Sequence, residues 1–495
     1  MLLELLAASM ITPDVAVLSE AKLRKDKIAE QKVLNVKSQP NVEYKYVLPQ
    51  TNNTKYKDFN QVIYHYSDSA KDVVNDFKVR QTKQGQFLKW VTLPNNQLYV
   101  KLNTSHVDSI YEQAKTLAAR RTEVARPLVV LGIGGSKHTA EFMLNMTGFD
   151  RKRYVYFYSD IDPVSYENFM KQVNIGGVQN LNFLVVSKSG TTFETSDAFR
   201  RFENALITYY QNQGFDADTA LMKAQMHFAL CTDATPTDKN LRGKVGSKNG
   251  TDNGYLKELF IHDDVGGRYC MFDDPGIFVL AYAGVDKEIT KRILNGAIKA
   301  SEMNMNAKNI SNNPAILGAI YNVFSRDNGF KIIQHQYFGK LFEGAGENWS
   351  KQLYLESLKD FDYVVGKAPD SMHYATEGHF SPQNRTKYNT IMTIMTPSIS
   401  QNYSKYTSAI ALTYSETTPV KIEVLPIENN AIKPEAIGEY IQTKHFETVY
   451  TGMLRRAVQN KSANIEKLPE ILQPSVETYK NKFKPGSPYE LNPGK

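Results

Sequence analysis

Cysteine is scarce: Cys231 and Cys270 are the only two in 495 residues. Two thiols make neither a disulfide framework nor a metal cage, and they fit a reducing compartment. No uncharged apolar stretch is long enough to span a bilayer, which argues against a membrane partner. The N-terminal MLLELLAASM is apolar but carries Glu4 and lacks both a basic lead and a clear cleavage site, so a signal peptide is not expected. Charge is not segregated either. The net +7 is spread along the chain, without a basic block interleaved with aromatics and without zinc-finger spacing, which argues against nucleic acid. The histidines form no H-x-x-x-H or carboxylate cluster with metal-ligand spacing. These absences lead us to expect a cytoplasmic protein that needs no metal and no cofactor.

What is present fits a globular chain, with 41% hydrophobic and 22% charged residues. That length exceeds what one core serves, so two main domains with connecting arms are expected. Residues 1–105 are polar and rich in Lys and Tyr, with alternation only in short runs such as QVIYHY and QLYVKL. They read as an arm packing on the body. SHVDSIYEQAKTLAARR (105–121) reads as a helix.

From Arg126 the pattern changes. PLVVLGIGG, YVYFYSD, NFLVVSKSG, HFALCTD and GGRYCMFDD read as strands, the first three followed by helical stretches. NLRGKVGSKNGTDNG, between Asp233 and Val265, reads as an inserted surface loop over 234–264. A second series follows in FKIIQHQYFG, FDYVVGK, TIMTIMTP, SAIALTYSE and VKIEVLP, with helices such as PAILGAIYNVFSR around them. The expected fold class is α/β: two αβα sandwiches with mainly parallel sheets over 106–290 and 291–460. A C-terminal segment, 461–495, ends in KPGSPYELNPGK, which reads as disordered.

Two loops carry candidate chemistry. LVVLGIGGS (128–136) runs a strand into Gly132, Gly134, Gly135 and Ser136 just before a helix. Closely spaced glycines let backbone N–H groups approach an anion at a helix N-terminus. The dinucleotide fingerprint fails, because Lys137 stands where its last glycine would be. In the second loop, Ser187-Lys188-Ser189-Gly190-Thr191-Thr192 packs four hydroxyls and a glycine into six residues after NFLVV. Short donors and main-chain amides at that edge of a parallel sheet match a phosphate monoester.

GIGGS followed by SKSGTT resembles the sugar isomerase (SIS) domain, and further motifs narrow the resemblance to the phosphoglucose isomerase family. ENWSKQLYLES (347–357) is similar to the segment in which a Gln stands four residues before a Glu-Ser pair. VGGRY (265–269) is similar to the Gly-Gly-Arg-aromatic motif, and LQPSVETYK (472–480) to the C-terminal Gln-x-x-Val-Glu-x-x-Lys motif. The resemblance implies that Glu356 moves a proton between C1 and C2 and that Arg268 stabilises the enediolate. It implies that Lys480 and His379, the latter in TEGH (376–379), open the sugar ring. His373 competes with His379. Phosphate and sugar contacts fall on Gly135, Ser136, Ser187, Lys188, Ser189, Thr192, Gln352 and Gln473, with Glu194 a structural neighbour. The implied partner is a sugar phosphate, and the implied assembly is a homodimer with shared active sites.

The chain also departs from the pattern. Cys270 follows Arg-aromatic where a hydroxyl residue is usual, LKD follows Glu356-Ser357, and GHFSPQNR (378–385) differs after the histidine. These departures keep two alternatives open: a dual isomerase that also takes mannose 6-phosphate, and a non-catalytic sugar-phosphate sensor.

Overall fold

A strand buried on both faces must supply apolar residues at every position, and alternate residues feed opposite layers. The computed structural model describes residues 33–37, 41–49, 56, 58–98, 106–119, 126–148, 155–173, 176–188, 192–233, 254–262, 264–339, 341–342, 344–358, 362–367, 390–398, 414–415 and 418–460. Its strands are β1 (Val33–Lys37), β2 (Glu43–Val47), β3 (Leu128–Leu131), β4 (Val155–Tyr158), β5 (Asn182–Val186), β6 (Phe228–Asp233) and β7 (Leu256–Ile261). They continue with β8 (Ile332–Tyr337), β9 (Asp362–Lys367), β10 (Thr390–Ser398), β11 (Val420–Glu428) and the short β12 (Ala431–Ile432).

The first sheet has the order β4-β3-β5-β6-β7, and every pair in it is parallel. Leu128, Val130, Leu184, Val186, Ala229 and Cys231 face the main core. Their neighbours Val129, Leu131, Phe183, Val185, Phe228 and Leu230 face a second, aromatic-rich cluster with Phe199 and Phe202. From β3 the chain moves to β4 on one side and then to β5 on the other. That reversal opens a crevice at the C-terminal ends of β3 and β5, the place where open α/β sheets bind ligands.

The second sheet runs β1-β2-β11-β10-β8-β9, with β12 pairing β11. Strands β8 to β11 are parallel, whereas β1 and β2 add to the edge antiparallel. Here too the order reverses, between β8 and β10. The helix Ala345–Ser357, which connects β8 to β9, therefore starts at the corresponding switch point. Both sheets answer to the α/β expectation.

Three local readings need correction. QVIYHY lies inside the helix Phe59–Arg80, not in a strand; its buried Val62, Ile63 and Tyr66 belong to a stripe that continues through Ala70, Val73, Val74 and Phe77. GGRYCMFDD is not a strand either. Gly267–Tyr269 is a short 3-10 turn, and Asp273 caps the helix Asp274–Ala283, which has Pro275 in its first turn. The missing fifth strand is β7, which falls within the stretch read as loop. In the second series, Tyr414 and Ser415 of SAIALTYSE are helical.

The N-terminal region shares the core. Trp90 is buried, stacks on Tyr269 at 5.3 Å and meets Phe446 edge-on at 4.9 Å. Phe446 belongs to the long helix Pro434–Asn460, whose backbone packs against the helix Lys287–Asn304. Two glycines permit that approach: a Cβ on Gly438 would overlap the carbonyl of Ile293, and one on Gly296 the carbonyl of Glu435. Gly438→Ala must therefore push two helices apart, and overpacking of this kind costs about 1–3 kcal/mol. A urea denaturation series should show the midpoint falling accordingly, with the wild-type midpoint as reference.

Candidate active site

The glycine loop after β3 is built for close approach. Gly134 has a positive φ of 55°, and a side chain there would collide with the amide of Gln352. Gly135 opens the helix Gly135–Met146, and a Cβ on it would overlap the backbone of Gly267. Two glycine motifs far apart in sequence are thus pressed together, backbone on backbone. Gly132 sits against Val186, so the same loop borders the end of β5.

Arg268, next in chain to Gly267, is carried by this contact into the space beside the helix Ala345–Ser357. Its side chain is only 2% exposed. Its Nε donates to Ser357 Oγ at 2.7 Å, and its Nη1 donates to Glu356 Oε2 at 3.2 Å. Tyr269 Oη lies 3.1 Å from the same serine oxygen. The other carboxylate oxygen, Glu356 Oε1, accepts from Gln352 Nε2 at 3.2 Å, one helical turn earlier. Glu356 itself is 41% exposed, so a buried cation orients a carboxylate that solvent or a ligand can still reach. Among the described residues the structure thereby joins Gly134, Gly135, Arg268, Gln352 and Glu356 in one constellation. Ser357, Tyr269 and Gly267 received no role from the sequence, although each adjoins a residue that did.

The second loop leaves β5 at Ser187, which is buried and whose N–H donates to Cys231 at 3.0 Å. Lys188 Nζ donates to the carbonyl of His262 at 3.2 Å, while its own carbonyl accepts from Thr232 Oγ1. Thr192 stands at the N-cap of the helix Phe193–Asn212, with Glu194 in its first turn. Ser136 lies in the first turn after the glycine loop. Ser189, Gln473, Lys480, His379 and His373 lie outside the described residues.

A phosphoglucose isomerase family model matches residues 105–338. The glucose-6-phosphate isomerase of Borreliella afzelii is 28% identical over 312 residues, 58% of this chain and 53% of that one. Its counterpart in Mycoplasma mobile is 26% identical over 362 residues, 69% of this chain and 74% of that one. Over that stretch the chain is similar to the phosphoglucose isomerase family. The alignment spans about half the length of the Borreliella relative. In fold, the family's glucose-6-phosphate isomerase from Chlamydia trachomatis superposes with a TM-score of 0.61 at 16% identity, over 95% of this chain and 98% of that one.

Where a hydroxyl residue is usual in the family, the Cys270 thiol turns inward. It donates to the carbonyl of Gly267 at 2.8 Å, and burial pushes it up to about 12. The substitution therefore braces the turn that carries Arg268. A polar cluster braces it from the other side. Asp273 accepts from the backbone N–H of His262 at 3.0 Å and from its Nδ1 at 2.6 Å. Asp274 accepts from Phe260 N–H at 2.8 Å, and from Gln97 Nε2 and His106 Nε2, both at 3.0 Å. Both carboxylates are fully buried and tie the end of β7 to the helix that follows the turn. His262, Asp273 and Asp274 thus meet, although the sequence offered no metal-ligand spacing. Their groups bond one another and the main chain, a structural cluster.

Burial pushes the His262 imidazole down, but its hydrogen bond to Asp273 and the charges of Asp273 and Asp274 outweigh that and raise it. The hydrogen bond to Asp274 likewise raises His106 against its burial. Burial also pushes the Asp273 carboxyl up, and His262 offsets this only in part. The pair's charge preference therefore shows in the partly exposed imidazole. A raised histidine contributes stability that is complete below its unfolded pKa, about 6.5, and is lost as pH rises through the folded value. Urea midpoints should consequently decline from about pH 6 towards pH 8, and His262→Gln should flatten part of that slope. Histidine NMR titrations should show both rings retaining protons above the range of a free imidazole.

Proposed function

We propose that the protein is a glucose-6-phosphate isomerase, interconverting glucose 6-phosphate and fructose 6-phosphate by proton transfer through a cis-enediol intermediate. The observation that carries this reading is the half-exposed Glu356 carboxylate, held between Gln352 and the buried Arg268 beside the glycine loop. Isomerisation needs a base that removes a proton from one carbon and returns it to the neighbouring one. A carboxylate oriented from both sides and open to the cleft meets that need, and general-base catalysis is typically worth about 10²–10⁴-fold. Arg268 stays charged throughout, so it stabilises the enediolate oxygen without being consumed as an acid.

The phosphate end falls to the hydroxyl-rich loop Ser187, Lys188, Ser189 and Thr192, with Ser136 and Gly135 beside the sugar. That loop leaves the first sheet at its switch point and ends at a helix N-terminus, which favours an anion. Gripping a non-reacting phosphate fixes C1 and C2 against the base. In this reading Lys480 and His379 open the ring, Gln473 lines the site, and His379 reaches the cleft from the partner subunit of a cytoplasmic homodimer. No described helix is long and apolar enough to cross a membrane.

Glu356→Gln should fold normally and still bind fructose 6-phosphate while turnover drops by at least about 10²-fold. Deuterium exchange at C1 of fructose 6-phosphate in heavy water measures the step directly. Turnover like that of the wild type would remove Glu356 from the role. A coupled assay offering glucose 6-phosphate and mannose 6-phosphate measures substrate breadth.

A further inference from the structure

Behind the helix that carries Glu356 lies a set of charges the reaction does not use. Lys421 and Glu423 alternate on β11, and Lys444 and Glu447 stand three residues apart on the helix Pro434–Asn460. All four side chains are at most 2% exposed. They close a square: Lys421 to Glu423 at 2.8 Å, Lys421 to Glu447 at 2.6 Å, Lys444 to Glu423 at 2.8 Å and Lys444 to Glu447 at 3.2 Å. Glu447 is the hub. Its Oε1 also accepts from Asn322 Nδ2 at 3.3 Å and from Tyr354 Oη at 3.2 Å. Room for its carboxylate comes from Gly318, where a Cβ would collide with it.

Such a square is an expensive way to fill a core. Removing four charges from water costs several kcal/mol per ion, and well-packed apolar residues of equal volume are often as stable or more so. What an ion square supplies beyond apolar packing is direction, because each bond has a fixed length and partner. The direction here ends at Tyr354, two residues before Glu356 on the same helix. The ring of Tyr354 is also fixed, edge-on to His335 at 4.7 Å. At 3.6 residues per turn, a rotation that draws Tyr354 away from Glu447 swings Gln352 and Glu356 through a similar arc. The same buried side of the helix is tied one turn later, through Ser357, to Arg268 and Tyr269.

We infer that the buried Lys421–Glu423–Lys444–Glu447 square, acting through the Tyr354 hydroxyl, is a positioning device that sets the rotation of the helix Ala345–Ser357 and so aims Glu356. The inference rests on the isomerase reading for its catalytic consequence. The square and Tyr354 touch no substrate; they act through the helix.

Tyr354→Phe tests it, because only the hydroxyl is lost and the ring contact with His335 stays. Misplacing a catalytic group by about 1 Å can cost 10²-fold, and loss of one of several restraints should lower kcat by about 10-fold. KM for fructose 6-phosphate should stay within about twofold, since the phosphate loops are untouched. A kcat within twofold of wild type, whatever happens to thermal stability, overturns the inference. Glu447→Gln should repeat the kcat loss if it folds; Tyr354→Phe decides alone if it does not. If the wild type itself exchanges no C1 hydrogen of fructose 6-phosphate, the isomerase reading falls and a crystal structure of Tyr354→Phe decides the positioning. An Arg268 Nη1 to Glu356 Oε2 separation lengthened beyond 3.2 Å supports it, and an unchanged one overturns it.

Discussion

Arg268 is the point at which the two sheets act on one site. Its guanidinium belongs to a turn fastened to the first sheet, and its hydrogen bonds end on a helix that issues from the second. Several features that look independent serve this contact. The meeting of Gly135 and Gly267 brings the turn close, the inward Cys270 thiol and the Asp273–Asp274 cluster stop it from relaxing, and Ser357 receives it. A guanidinium this buried must have its donors met in fixed directions. The restraint it imposes on Glu356 is therefore the cost of its own burial put to use.

The layered architecture explains why the site lies between the two halves. Each sheet reverses its strand order once, and each reversal leaves a gap at the C-terminal strand ends. The first gap receives the glycine loop beside Ser187 at the end of β5, and the second starts the helix with Gln352 and Glu356. Neither gap alone offers both a glycine loop at a helix start and an oriented carboxylate.

Much of this was legible in the sequence. Short apolar runs ending in glycine or hydroxyl residues gave β3, β5 and their helices, because strand burial on both faces leaves polar residues only at the margin, as with Asn182 at the start of β5. Arg268, Gln352 and Glu356 were legible through motif resemblance, not through periodicity. GGRYCMFDD misled because a buried turn and a buried strand draw on the same aromatic residues; Asp273 and Pro275, both helix-start signals, were the clue against it. The ion square was hidden for a physical reason. In VKIEVLP the charged residues alternate as they would on a solvated face, yet Lys421 and Glu423 are the buried set and Ile422 and Val424 the partly exposed one. Only the partner charges on a helix, 21 residues on for Glu423–Lys444 and 26 for Lys421–Glu447, reverse the assignment, and a single strand carries no sign of them.

The placement of the two tryptophans has a practical side. Trp90 stacks on Tyr269, beside the arginine, and Trp349 lies on the helix of Glu356, stacked on Phe142 at 5.0 Å. Both indoles are shielded from water; one packs on the residue after Arg268, and the other lies two turns before Glu356 on its helix. The chain thus contains a built-in optical gauge: emission from either ring reports strain at its own half of the cleft, so single-tryptophan variants can time the arrival of a ligand at each half separately.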